Sequence, residues 1–423
     1  MSLLQRQSGR FPLALALAML LLALLLVPAA AAPWSNQVIR STYITFIYPD
    51  ILSDASARKL LREREEALEI ASNLLGNPPL GNLIVTIDPN PLWEMGYTVP
   101  TTDGASIRFL VNPSALEAYE NGGPSPFGVY SCHEEIHALA NYNWSDTIVA
   151  GSCIPGALSE GLAVWMTSLH TGDDSHQRLF DLLRLTGNAY PLPLLLDSVA
   201  LDPEDPYVYT NLYNAGASVV EFLITTYGWD RFIALYNYEW LVLPQFDYAP
   251  PGPAVEAVYE MTIEELEAAW QFSLQDTFSF SAEDAVLITT QMVALDNELY
   301  DPLVELLCWW EEDNRCIMGY SRQTHILSHR MSAAAMHLLY CTTDTELEQA
   351  VLRYRGLGRQ LTALYERWLD AIAAYADILD WMEYNPDPEA LARELTEVAA
   401  QYAAVGDFTM ENRLLERARE AHP

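Results

Sequence analysis

The sequence predicts an α+β chain: a small mixed sheet subdomain packed on a helical subdomain, followed by an all-α C-terminal region. Three observations carry that reading. Alternating, β-branched runs fall before residue 124. From about residue 127, apolar residues recur at helical spacing. From about Phe280 the chain runs in long amphipathic stretches, with few breakers before Asn385-Pro386-Asp387-Pro388. The expected segments are 1–32, 33–124, 125–279 and 280–423.

Residues 1–32 have the pattern of an export signal. Arg6 and Arg10 form a positive start, Phe11 to Val27 is apolar apart from Pro12, and Ala29 to Ala32 offers small-residue cleavage sites. The apolar run is shorter than a comfortable span of about 20 residues. Cleavage and retention as a membrane anchor are both open to it. Either outcome places the rest of the chain outside the cytoplasm, secreted or at the cell envelope.

Thr42 to Tyr48 alternates as an extended strand should. Ser53 to Leu75 has helical periodicity and stops at Gly76-Asn77-Pro78-Pro79. Leu83 to Ile87 and Ala105 to Val111 are further strands, the second closing at Asn112-Pro113. Asn121-Gly122-Gly123-Pro124-Ser125-Pro126 breaks the chain. Helices are expected over 127–142, 156–170, 174–186, 211–227, 229–239 and 262–276, with proline-rich breaks at Pro191 to Pro206 and Pro244 to Pro253. Val398 to Ala421 has the shape of a helical hairpin turning at Gly406-Asp407.

The balance of 57 acidic against 22 basic residues gives a formal net charge of −35. That excludes non-specific nucleic-acid binding and argues against docking on anionic lipid.

Residues 133 to 137 read His-Glu-Glu-Ile-His, and Leu158 to Val164 reads Leu-Ser-Glu-Gly-Leu-Ala-Val. On a helix, residues four apart are nearly in line, so His133 and His137 project from one face and reach a single metal ion. Glu134 sits about 100° round, where it reaches a metal-bound water rather than the metal. Glu160 supplies a carboxylate from the second segment. Two imidazoles and one carboxylate with a fourth position open suit catalytic zinc rather than structural zinc, at one ion per chain. The flanks Val129, Ile136, Ala138, Leu139 and Ala140 are apolar, so the helix is buried. A buried helix carries His, Glu, Glu and His only with partners for them.

The pairing of H-E-x-x-H with a downstream Ser-Glu-Gly-Leu-Ala resembles the gluzincin metallopeptidases. It is closest to the bacterial peptidase MA-like domains, related to the aminopeptidase N and thermolysin groups. The resemblance covers about Ser41 to Thr277. It implies a zincin catalytic subdomain, zinc on His133, His137 and Glu160, Glu134 as general base, and hydrolysis of peptide bonds by a Glu-activated zinc-bound water. Tyr213-Asn214-Ala215-Gly216 is similar to the Tyr-x-x-Gly segment that supplies a transition-state tyrosine in aminopeptidase-like members. Tyr213 is therefore the implied oxyanion donor, with Tyr207 and Tyr209 as competitors. Thr262 to Trp270 resembles the helix that closes these domains. Two departures stand out. The chain has no Gly-x-Met-Glu-Asn segment, the element that reads a free substrate amino terminus; the nearest stretch is Asp103 to Arg108. Val164 stands where thermolysin-like enzymes place an acid to brace a histidine, so that support comes from elsewhere, with Asn141 one candidate.

The implied partner is a peptide or protein substrate. A strand beside the zinc helix either aligns an extended peptide by strand addition or simply covers the helix. The C-terminal helices carry no catalytic motif and offer a surface for a protein partner. The alternative reading is thus a catalytically idle binding or scaffold protein acting through those helices. The intact Glu134 counts against it, because a structural zinc needs no general base.

Cys132 directly precedes the first histidine, and Cys153 lies ahead of Glu160. In an oxidising compartment a bridge between them would tie the two motif segments together. Cys308 and Cys316 are close enough in sequence to pair, leaving Cys341. The competing arrangement gathers Cys308, Cys316, His325, His329 and Cys341 into a second metal site, although their spacing follows no zinc-finger pattern.

Overall fold

Period-two burial in the first part of the chain builds a sheet, and a buried helical stripe covers it. The computed structural model describes residues 35–422 except 90–94, 102–103, 112, 124, 128–130, 145–153, 198–200, 202–204, 206, 239, 243–246, 275–280, 282–284, most of 286–336, 342, 383, 385–386 and 407. The strands of the main sheet are β1 (Asn36–Arg40), β2 (Ile44–Pro49), β3 (Leu83–Pro89), β4 (Met95–Thr101) and β5 (Gly104–Val111), in the order β1-β2-β3-β5-β4. β2, β3 and β5 run parallel, with β1 and β4 antiparallel at the edges. The register sets Phe46 beside Val85 and Val85 beside Ile107, all three fully buried. Helix α1 (Asp54–Leu75) starts where the Ser53 side chain accepts from the Ser56 N–H and stops at Gly76 in the left-handed region. Its stripe of Ala57, Leu60, Leu61, Arg64, Ala67, Leu68 and Ala71 is buried against β2 and the motif helix.

Two strands of this sheet were not expected, and neither was a separate antiparallel pair, Leu241–Val242 with Asp247–Tyr248. β1 is almost wholly exposed, so it lacks the apolar alternation that marks a strand. β4 contains Gly96 and Pro100, which read locally as turn residues. Pro100 is tolerated because β4 is an edge. The stretch from Gly104 to Arg108 belongs to β5, one position in from that edge; Asp103 lies outside the described residues.

The helices that follow are α2 (Pro113–Glu120), α3 (His133–Trp144), α4 (Gly156–Thr171), α5 (Ser175–Thr186), α6 (Gly216–Tyr227), α7 (Trp229–Tyr236), α8 (Pro251–Tyr259) and α9 (Ile263–Ser273). The motif helix starts at His133 rather than near 127, because Ser131 turns the chain with φ 29° just ahead of it. Helix α8 forms inside an expected break, since Pro251 occupies the first helical position, where no N–H is needed. The expected run over 211–227 is helical throughout, but its winding is not uniform and it starts earlier. A short turn, Val208–Thr210, leads into a π turn, Asn211–Ala215, and then into α6. The sheet and α3 to α9 share one apolar core, which includes Leu139, Leu158, Leu162, Val220 and Trp270. Helix α4 packs on both α3 and α6.

Helices α10 (Asp344–Met382), α11 (Pro388–Ala404) and α12 (Phe408–Ala421) complete the described chain. Trp368, Tyr375, Leu395, Tyr402 and Leu414 form their common core. The expected hairpin is present, but its first arm begins earlier, at Pro388, where the Asp387 side chain accepts from the Ala390 N–H. The described residues are thus mostly helical, with a small mixed five-stranded sheet and a two-stranded ribbon. No helix among the described residues is long and apolar enough to cross a membrane. Residues 1–32, Cys153, Cys308, Cys316, His325 and His329 lie outside the described residues.

Candidate metal centre

Helix α3 presents His133 and His137 from its first turns, and α4 presents Glu160, its fifth residue. His133 Nε2 and His137 Nε2 are 3.1 Å apart, and each is 3.2 Å from Glu160 Oε2. Among the described residues these three form a group of ligand type. Zinc bonds of about 2.0 Å in a tetrahedron require edges of about 3.3 Å, so the triangle fits the ion. Its chemistry fits as well. Lone pairs this close repel unless a proton or a metal cation lies between them. Burial alone would lower the His137 pKa, but the Glu160 and Glu134 carboxylates outweigh it and raise it to about 9. Burial pushes the Glu160 carboxyl up, yet His137 and His133 together hold it well below the usual range. The cluster therefore attracts positive charge, and a bound divalent ion displaces the proton.

Glu134 is buried beside the cluster. Thr98 Oγ1, on edge strand β4, lies 2.9 Å from Glu134 Oε2 and 3.0 Å from the Glu134 backbone oxygen. The same strand passes so close that a Cβ on Gly96 would stand 2.7 Å from Glu134 Oε1. Glycine at that position is what allows the carboxylate its place.

Asn141 does not brace a histidine directly. His137 Nδ1 instead meets Ser159 Oγ at 3.2 Å, and Asn141 Oδ1 accepts from the Tyr236 hydroxyl at 3.0 Å. Asn141 Oδ1 is engaged by Tyr236, whereas Ser159 neighbours Glu160 on α4 and reaches the ring. Glu135 points the other way, into the core, fully buried against Arg64 at 3.3 Å. Burial raises the Glu135 pKa and the Arg64 guanidinium opposes it. The guanidinium lies over the Phe127 ring at 4.7 Å.

Tyr213 sits in the π turn with its ring stacked on His133, centroids 6.0 Å apart and planes within 10°. Asn211 pins that turn: its Nδ2 donates to Asn188 O and Tyr207 O, and its Oδ1 accepts from the Tyr190 N–H. π turns recur at functional sites. Of the competing tyrosines, Tyr209 is strongly exposed and the Tyr207 N–H is tied to Asp205.

Cys132 is a buried free thiol with Sγ 3.8 Å from Thr167 Oγ1. Cys341 is a half-buried free thiol whose Sγ donates to His337 O. A groove of about 840 Å³ runs along the later half of α4 past Trp165, His176 and Glu221. None of the motif residues lines it, and its Asp174 and Asp181 are already paired with Arg178 and Arg184.

Ser159, Tyr236, Thr98, Arg64 and Asn211 escaped the sequence reading. Arg64 alone left a usable trace, as a charge in the middle of an apolar helical stripe.

No family model matches the chain, and no curated protein does. Among solved structures it is similar to an M1 zinc metallopeptidase from Deinococcus radiodurans. A point mutant of that protein matches at 15% identity and TM-score 0.34, over 56% of this chain and 52% of that one. A second structure of it matches at 15% identity and TM-score 0.33, over 57% and 51%. A mutant bound to a Tyr-Ser-Ala substrate matches at 15% identity and TM-score 0.32, over 56% and 52%. The chain spans about half the length of the structures it matches.

Proposed function

We propose that the chain is an exported, zinc-dependent metallopeptidase that hydrolyses peptide bonds. The observation that carries this is the convergence of His133 Nε2, His137 Nε2 and Glu160 Oε2 within 3.2 Å, with the Glu134 carboxylate held beside them by Thr98. Zinc, when bound, supplies a Lewis acid that polarises a carbonyl and makes water more acidic. His133, His137 and Glu160 would hold it. Glu134 has the place of a general base, taking a proton as water attacks the carbonyl and returning it to the leaving nitrogen. Tyr213, oriented by its stack on His133, offers a hydroxyl to the developing oxyanion. Edge strand β4 lies directly over Glu134, where its backbone can align an extended peptide. Residues 1–32 supply the export signal.

Elemental analysis together with cleavage of a mixed peptide library tests the reading. Wild type should hold about one zinc and cleave; Glu134→Gln should hold zinc and not cleave. Equal cleavage by both would overturn the mechanism.

A further inference from the structure

We propose that Asn211 is the positioning residue of the oxyanion donor: its buried amide holds the π turn that lays the Tyr213 ring on His133. This rests on the role given to Tyr213 in the proposed function. A π turn is rare and competes with the ordinary winding of the helix around it. Here the wide bond closes on Asn211 itself, from the Gly216 N–H to the Asn211 carbonyl. Gly216 is fixed by α4, because a Cβ there would stand 2.5 Å from Ala157 O. Asn211 is the other anchor, and Tyr213 lies between the two.

The Asn211 side chain has no exposure, and each of its polar atoms is engaged. The two hydrogens on Nδ2 go to Asn188 O and Tyr207 O, both at 3.0 Å. Oδ1 accepts from the Tyr190 N–H at 2.8 Å. These partners fix which way the amide faces. Turned over, it would set Oδ1 against two carbonyl oxygens and an amide hydrogen against an N–H. The set calls for a planar group with two donors and an acceptor on a short stem, which is asparagine. Aspartate lacks the donors, and glutamine is a methylene too long.

The backbone N–H of Asn211 adds a further bond to Tyr207 O at 2.9 Å. Asn188 directly follows Gly187, which ends α5 in the left-handed region. One side chain thus ties the π turn to the end of α5 and to the residues just ahead of it. The Tyr213 ring lies parallel to His133 within 10°, yet it is 37% exposed. Packing covers only part of that ring, so the turn beneath it has a large share in where the hydroxyl goes.

The test joins a spectrum to kinetics, both in the full chain. With fluorotyrosine incorporated, the fluorine NMR signal of Tyr213 is the one that Tyr213→Phe removes. Asn211→Ala should shift or broaden that signal, with or without zinc. On a peptide cleaved by wild type, it should lower kcat by about 10–10²-fold, the scale of a misplaced group. KM should stay within about 3-fold, and zinc content should not change. Added to Tyr213→Phe, Asn211→Ala should lower kcat by less than about 3-fold more, since both act through one hydroxyl. If Asn211→Ala does not fold, Asn211→Asp carries the same measurements; it keeps the shape and the bond from Tyr190 but neither donation. An unmoved signal, an unchanged kcat, a loss of zinc, or losses that multiply in the double variant, as they would through Tyr207, would overturn the inference. Wild-type kcat in Tyr213→Phe removes the oxyanion role and this inference, and leaves the zinc peptidase standing. A wild type that cleaves no peptide removes all three.

Discussion

Gly161 and Gly216 bring α4 and α6 into backbone contact: a Cβ on Gly161 would stand 2.3 Å from the Gly216 carbonyl carbon, and one on Gly216 would stand 2.5 Å from Ala157 O. Glu160 precedes the first glycine, and Tyr213 stands a turn before the second. The close approach therefore sets the spacing between a candidate ligand and a candidate oxyanion donor. Propensity alone favours alanine over glycine in a helix by about 1 kcal/mol. At Gly161 the sign should reverse. Gly161→Ala is expected to cost about 1–3 kcal/mol as overpacking and to lower zinc content. A melting temperature at or above wild type would show that the helices part freely.

Gly96→Ala makes a contrasting case. Its new Cβ meets the far end of the Glu134 side chain, not backbone. The carboxylate can swing away, so the melt should stay near wild type. Peptide cleavage should fall about 10²-fold or more, in line with a misplaced general base. Normal cleavage by Gly96→Ala would dissociate Glu134 from the base role.

Metal retention should separate the motif residues. His137→Ala is expected to lose most of its zinc after dialysis, while Glu134→Gln keeps about one ion per chain. Full zinc in a variant lacking His133, His137 and Glu160 would place the metal elsewhere.

Tyr213→Phe should lower kcat by about 10²–10³-fold, the effect of one lost oxyanion donor, with KM little changed. The stack on His133 survives, since the ring remains, so zinc content should not move. An unchanged kcat would shift attention to Tyr207 and Tyr209.

Arg64→Leu would strand Glu135, which has no exposure, beside an apolar side chain. Breaking a buried pair in this way costs about 3–5 kcal/mol. Replacing both partners, as Arg64→Leu with Glu135→Leu, should recover most of it. A urea titration in which the double variant is no better than the single would mean that the pair acts through shape.

The residues with a fixed local spacing were legible. His133, His137 and Glu160 could be named from sequence because i, i+4 geometry and a short helix–loop–helix link dictate their meeting. Helices α1, α4 and α5 were legible because their caps and apolar stripes are local. Thr98, Ser159 and Tyr236 were not, since their roles arise where separate elements touch. β4 was hidden by Gly96 and Pro100, residues that local propensity assigns to turns and that here serve a carboxylate and a sheet edge. Asn141 shows the limit of one-dimensional proximity: it neighbours His137 in sequence, yet its Oδ1 is taken by Tyr236 on α7 while Ser159 of α4 meets the His137 ring.

The π turn at Asn211–Ala215 is, in effect, one surplus residue wound into an otherwise ordinary helix. Length thus governs where Tyr213 points. Deleting a single residue from the turn would regularise the winding and rotate everything upstream by about 100° relative to α6. Every side chain of the core in α6 would stay where it is, while the tyrosine would leave the face of His133. A candidate oxyanion donor mounted this way can be engaged or withdrawn by one insertion or deletion, with the scaffold beneath it left intact.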